Sequence, residues 1–291
     1  MNGLEAIKVQ ELLCYLLIHR DRAHSRENLA SLLWGDHSTS QSKKYLRQTL
    51  WQLQAALDPP SAPGSGRLLL VDSEWVRLNP DADLWLDIAV FDEAVSLANG
   101  TRGSELEGPR ARGLQRAVEL YTGDLLDGCY QDWCLNERER LLEAYLASLE
   151  KLVSYCEKHG FYDAGLAYGG LVVRSDCARE SAHRQLMRLL YLSGNRTAAL
   201  RQYERCVAAL DREFGVRPGK LTVELYEQIR ADRAADISRD GGEEALPQGR
   251  NVHPIPDVLD RLRQLHTLLV DAQRQLQHDI GVVERALGAE P

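Results

Sequence analysis

No stretch of this 291-residue chain approaches the roughly 18 consecutive apolar residues that a bilayer demands, so no membrane-spanning helix is expected. The start, Met1-Asn2-Gly3-Leu4-Glu5, has neither a basic cluster nor a long apolar run, which argues against a secretory signal and for a cytoplasmic protein. Six cysteines are present (14, 129, 134, 156, 177 and 206), yet none forms a C-x2-C pair, and no His-x3-His or H-E-x-x-H run occurs. No metal site and no disulfide framework is therefore expected. Four of the cysteines sit in helix-like apolar patterns, where a free thiol behaves as a small hydrophobe. No G-x-S-x-G run exists either. Gly215-Val216-Arg217-Pro218-Gly219-Lys220-Leu221 imitates a phosphate loop, but has three residues between its glycines instead of four and no Ser or Thr after the lysine, so it reads as a turn between helices. His183 and Cys177 are close in sequence but fall in a repeat pattern, so a nucleophile pair is not expected. No catalytic residue and no cofactor is expected. An excess of positive charge is also missing: 35 basic against 43 acidic residues give a net charge of -8. That balance argues against a protein that coats nucleic acid, while leaving room for a local DNA-reading surface.

What is present organises into segments. The 44% apolar content suffices for a core. Breaks fall at Asp58-Pro59-Pro60-Ser61-Ala62-Pro63-Gly64-Ser65-Gly66, more weakly at residues 99–104, and at 238–256, the last a flexible linker by composition. Before the first break, Val9, Leu12, Leu13, Leu16 and Leu17 mark one helix over residues 6–19. Ser25 caps a second that buries Leu29, Leu32 and Leu33. Ser38 or Ser40 caps a third that runs to about Leu57, with Leu46, Leu50, Leu53 and Leu57 on its inner face. Two short runs, 67–71 and 75–78, flank Asp72-Ser73-Glu74 and predict a β-hairpin. Three helices and a hairpin are the layout of a winged helix-turn-helix.

The middle of the chain repeats. At an offset of 34 residues, Leu152 meets Leu186, Tyr155 meets Leu189, Cys156 meets Leu190, Gly160 meets Gly194, Ala164 meets Ala198, Leu166 meets Leu200 and Val173 meets Val207. Thirty-four is the tetratricopeptide period, a helix–turn–helix unit that buries its apolar face only by stacking. The paired glycines predict left-handed backbone at the turns. Ala164 and Ala198 are the small residues expected where paired helices approach. Helices over 114–126, 136–151 and 221–230 would extend the stack. The fold class is thus mainly α: a winged helix-turn-helix over 1–80, a tetratricopeptide-like domain over 81–235, a linker over 236–254 and an amphipathic helix over 255–291.

Several runs carry a family likeness. Tyr121-Thr122-Gly123-Asp124-Leu125-Leu126-Asp127-Gly128, Trp133 and Glu137-Arg138-Glu139-Arg140-Leu141 resemble the opening of the bacterial transcriptional activator domain. Glu180-Ser181-Ala182-His183-Arg184-Gln185-Leu186-Met187, Gly194 and Ala199-Leu200-Arg201-Gln202-Tyr203 are similar to its central helices, and Glu213-Phe214-Gly215-Val216-Arg217-Pro218 to its closing turn. Glu27-Asn28-Leu29-Ala30-Ser31-Leu32-Leu33-Trp34, Leu46-Arg47-Gln48-Thr49-Leu50, Val71-Asp72, Arg77-Leu78-Asn79-Pro80 and Trp85-Leu86-Asp87 resemble the winged helix and connector of the Streptomyces antibiotic regulatory protein family. The likeness covers about residues 6–235 and implies a DNA-binding transcriptional activator that recruits RNA polymerase at promoter DNA. Two departures stand out. Family members usually open on a small β-sheet, whereas this chain starts almost directly at the first helix. The wing tip Asp72-Ser73-Glu74 is acidic where glycine is common, and phosphate should repel it.

In such a motif the third helix enters the major groove. A 3.6-residue period puts Gln41, Lys44, Gln48 and Gln52 on its outer face, with Lys43 and Arg47 on the flank. Glutamine pairs with adenine, lysine and arginine with guanine or phosphate. The expected DNA-binding residues are Lys43, Lys44, Arg47, Gln48, Gln52 and Arg67. Residues 1–80 carry nine basic and eight acidic side chains, a net of +1, so one copy should bind weakly and a homodimer would help. The 4-3 spacing of Val258, Leu262, Leu265, Leu269, Ala272 and Leu276 suits either dimerisation or packing back on the repeats. The alternative function is a protein-interaction or ligand-sensing adaptor whose winged helix no longer reads DNA.

Overall fold

The computed structural model describes residues 3–57 and 67–232. The expected loop at 58–66, the linker at 236–254 and the amphipathic segment at 255–291, with the dimerisation or back-packing expected of it, lie outside the described residues. No described helix is long and apolar enough to cross a membrane.

The element order is α1 (Gly3–Ile18), β1 (His24–Ser25), α2 (Arg26–Trp34), α3 (Thr39–Leu57), β2 (Leu69–Val71) and β3 (Trp75–Leu78), followed by α4 (Asp87–Leu97), a 3-10 turn (Gly103–Glu105), α5 (Gly108–Leu120), α6 (Asp132–His159), α7 (Tyr162–Ser175), α8 (Glu180–Leu192), α9 (Arg196–Phe214) and α10 (Lys220–Arg230). The first six elements are a winged helix. Ser25 caps α2 as expected, its hydroxyl accepting from the Asn28 amide at 3.0 Å. Ser38 precedes α3, and its hydroxyl donates to the Gln41 side chain at 3.2 Å. Leu12, Leu16, Leu29, Leu33, Leu46, Leu50, Leu53, Leu69, Val76 and Leu78 close one core. Leu32, assigned inward by its spacing, is exposed instead, because only Leu29, Ala30, Leu33 and Trp34 of α2 turn to that core.

The hairpin gains a third strand that the sequence pattern did not announce. His24 and Ser25 pair antiparallel with Val76 and Trp75, giving the sheet order β1-β3-β2. Two residues lack the length to show a strand's alternation, so only the completed fold defines β1.

From α6 onward the stack follows the repeat. α6 pairs with α7, and α8 with α9. Gly160 and Gly194 both carry positive φ, 73° and 83°, at the turns between paired helices. The small-residue expectation shifts by one position. Ala164 is exposed, whereas Gly165 and Ala199, also 34 apart, are buried. A Cβ at Gly165 would lie 2.9 Å from Leu189 Cδ1 and 3.1 Å from Cys156 Cβ, so Gly165 is where the helices close up. The flanking helices also differ from their expected bounds. α5 ends at Leu120, and the chain from Tyr121 to Gln131 is a loop. The Arg138 guanidinium donates to the Leu125 and Leu126 carbonyls and holds that loop on α6. α6 is longer than expected because Trp133 and Cys134 are already core residues in its first turn.

The winged helix and the repeats share a packed seam. Cys14, Tyr15 and Ile18 of α1 pack against Leu125, Leu126, Cys129, Trp133 and Cys134. The six cysteines are free thiols. Burial pushes Cys14 and Cys134 upward and Cys206 up to about 11, which keeps all three protonated and poorly nucleophilic near neutral pH.

Candidate nucleic-acid interface

The apolar spacing of α3 determines which side chains face outward. Ser42, Leu46, Thr49, Leu50 and Leu53 are buried. The Ser42 hydroxyl donates to the Trp34 carbonyl at 2.8 Å and pins the start of α3 against the end of α2. The opposite side exposes Gln41, Lys44, Gln48 and Trp51, with Lys43 and Arg47 exposed on one flank. Gln52 is half-covered on the other flank, not fully outward as its spacing suggested. Arg67 is exposed just before β2, so five of the six expected residues lie on α3 and one at the base of the wing.

Lys43 and Arg47 face the wing across an open groove of about 450 Å³, lined also by Ser25, Arg26, Glu27, Glu74 and Trp75. The groove carries charge of both signs. Lys43 Nζ lies 3.0 Å from Glu27 Oε1, an exposed pair of little energetic weight that a phosphate could displace. Arg26 ties the wing down: its amide donates to the Glu74 carbonyl at 2.8 Å, and its guanidinium to the Asp72 carbonyl at 2.9 Å.

The acidic tip has a structural role. Asp72 Oδ1 accepts from the Glu74 amide at 2.7 Å and the Trp75 amide at 2.6 Å, which closes the turn at the wing tip. Those two bonds, with Arg26 and Arg77 nearby, hold the Asp72 carboxyl below its ordinary range. Its charge is thus partly answered within the wing. Glu74 remains exposed in the groove.

Sequence reasoning passed over three residues of this surface. Arg26 reads as a helix-start residue, and only the wing's position shows its reach. Trp75 reads as a strand residue, yet it is exposed beside the groove. Trp51 is an apolar residue on a polar face, and its register with Lys44 and Gln48 was the signal available.

The other sequence features that hinted at chemistry are held in structural contacts. His183 Nε2 bonds the Cys177 backbone carbonyl at 2.9 Å, and Nδ1 meets Gln202 Nε2 at 2.9 Å, so the imidazole meets the backbone of Cys177 and both ring nitrogens have structural partners. The Cys177 thiol donates to Glu213 at 2.6 Å. Gly215 ends α9, and the Gly219 amide donates to the Glu180 carboxylate, so Gly215–Leu221 is a turn between helices. Among the described residues, no group of three His, Cys, Asp or Glu side chains is placed to hold a metal ion.

Residues 86–230 match the bacterial transcriptional activator domain. A helical-repeat domain of this kind, preceded by a winged helix, defines the class. Over 229 residues the chain is 28% identical to the regulatory protein AfsR of Streptomyces coelicolor, covering 78% of this chain and 22% of AfsR. Over 241 residues it is 28% identical to the transcriptional regulator RedD of the same organism, covering 79% of this chain and 66% of RedD. The fold superposes on Mycobacterium tuberculosis EmbR, solved in complex with a low-affinity phosphopeptide, with a TM-score of 0.62 at 20% identity over 81% of this chain and 62% of that one. The chain therefore carries a bacterial transcriptional activator domain and is similar to these Streptomyces regulators. It spans less than two thirds of the length of each of these relatives.

Proposed function

We propose that this protein is a cytoplasmic DNA-binding transcriptional activator. In this reading, residues 1–80 dock on promoter DNA and residues 81–235 present the helical repeats to RNA polymerase. The observation that carries it is the outer face of α3, where Lys44 and Gln48 stand outward and Lys43 and Arg47 line the groove toward the wing. Gln48 would read adenine. Lys44 and Arg47 would take guanine or phosphate. Lys43 and Arg67 would neutralise phosphate on either side of the wing, and Gln52 would make a peripheral contact from its flank.

The second reading is a protein-interaction adaptor. Glu27 beside Lys43 and Glu74 in the groove favour it, because carboxylates there oppose phosphate. Fluorescence anisotropy decides between the two, using the full chain, DNA upstream of its own gene, a scrambled control and two salt concentrations. An activator binds its own sequence selectively. Its affinity falls steeply with salt, and the slope shrinks by about 1 for each phosphate contact removed, as in Lys44→Ala or Arg47→Ala. Binding equal to the scrambled control overturns the activator reading and favours the adaptor.

A further inference from the structure

Trp51 is 70% exposed, the most exposed large apolar side chain among the described residues of the winged helix. Its neighbours do not share this condition. Trp34 and Tyr45 pack ring to ring at 6.3 Å, and His37 meets Tyr45 at 5.3 Å. Among the described residues, Trp51 makes no aromatic or cation–π contact. A single exposed apolar side chain needs no explanation in general. This one stands three residues after Gln48 and seven after Lys44, on the same outward line of α3 and opposite the buried Leu46, Thr49, Leu50 and Leu53.

Resting on the proposal that α3 enters the major groove, we infer that Trp51 is a specificity residue that reads thymine through its C5-methyl group. Base-pair edges in the major groove present donors, acceptors and one apolar feature, the thymine methyl. An indole pressed against any other edge strips water from polar atoms without replacing their hydrogen bonds, which is unfavourable. Against thymine it buries apolar surface on both sides. Insertion between stacked bases is largely a minor-groove device, so a side chain in the middle of a major-groove helix meets base edges. Three residues of helix advance about 4.5 Å, on the order of one base-pair step, so the thymine lies next to the base that Gln48 meets. With glutamine suited to adenine, the two residues together select an A·T-rich step. Lys43, Lys44 and Arg47 supply the charge that brings the duplex there.

The test starts from duplexes selected out of a randomised library by the full-length protein. In the best duplex each thymine is then replaced singly by deoxyuridine, which removes only the methyl group. Wild type is expected to lose about fourfold at one or two positions, the factor that one buried methyl confers. Trp51→Ala is expected to bind the thymine duplex more weakly and to be indifferent to deoxyuridine at those positions, while Trp51→Phe keeps the sensitivity. Thermal melts confirm that the exposed substitution leaves the fold intact. Wild type indifferent to deoxyuridine everywhere, or Trp51→Ala as sensitive as wild type, overturns the inference while leaving DNA binding standing. A library that yields no duplex bound above the scrambled control overturns both.

Discussion

Tyr15 of α1 and Trp133 of α6 meet edge to face, their ring centroids 5.3 Å apart and their planes at 84°. The Trp133 indole N–H donates to the Gln131 side chain at 2.7 Å, so the ring is held in place while Tyr15 packs against it. This contact joins the winged helix to the first helix of the repeats. Trp133→Ala is expected to destabilise the protein by about 3–5 kcal/mol. A double-mutant cycle with Tyr15→Leu should give a coupling of about 1 kcal/mol. Urea unfolding followed by far-ultraviolet circular dichroism checks both, and a coupling near zero would show that the two rings contribute independently.

The Asp72 turn separates shape from charge. Asp72→Asn keeps the oxygen that accepts from the Glu74 and Trp75 amides and removes the charge. Its DNA affinity is expected to rise, by up to about fivefold at low salt. Asp72→Ala loses the turn as well, so its wing should loosen and its affinity should fall below that of the Asn variant. Anisotropy titrations of the two proteins side by side give the comparison.

Acid should weaken the seam beside α1. His24 is buried with its ring 5.2 Å from Tyr15, and His19 lies 4.5 Å from the same ring. Burial lowers the affinity of both for a proton. For His19, Glu137 opposes this effect, while Arg22, His24 and Arg140 add to it. For His24, the bond to the His19 carbonyl opposes it and Arg22 adds to it. A folded-state value below the unfolded one means that the unfolded chain binds more protons in between. The stability is therefore fully present above the unfolded histidine value, about 6.5, and is lost as pH falls from there through the lower folded values. The melting temperature should drop between pH 7 and pH 5, and His24→Gln should flatten that drop. An equal slope in the variant would place the acid sensitivity elsewhere.

Residues 99–104 read as a weak break by composition, yet Gly103 sits hard against α6. A Cβ there would lie 2.5 Å from the Lys151 carbonyl oxygen and 2.7 Å from Ser154 Cβ. Lys151 also donates to the Ala98 carbonyl at 2.6 Å across the same crossing. Gly103→Ala is expected to cost about 1–3 kcal/mol, measured by denaturant midpoint, because backbone on both sides has to move. Gly123 is the control: it is exposed, and a Cβ there would meet nothing within 4 Å, so Gly123→Ala should be close to neutral.

Periodicity made the large elements legible. The leucines of α1 and α3 placed those helices to within a few residues, and the 34-residue offset located the glycine turns of the stack. What stayed hidden depends on contacts between distant segments. β1 is too short to show alternation and exists because β3 offers it a partner. Ala164 and Gly165 are both small, and only the position of Leu189 shows which one faces the neighbouring helix. The acidic letters of the wing tip suggest repulsion, whereas their hydrogen bonds form a turn. On α3 the charged and amide side chains were readable from helical spacing. Trp51 was passed over although its register with Lys44 and Gln48 was readable, because an apolar side chain on a polar face does not by itself name a role.

The α1–α6 seam has a consequence for phase along a DNA duplex. In the proposed DNA-binding reading, α3 is joined to the repeats through packed rings, and not through a tether, and so cannot aim them independently. Bound in one groove, such a protein presents its repeats toward one face of the double helix, fixed by where α3 enters. Moving the binding site by about five base pairs, half a helical turn, would turn the repeats to the far side. Moving it by a full turn would bring them back, and promoter output should follow that rhythm.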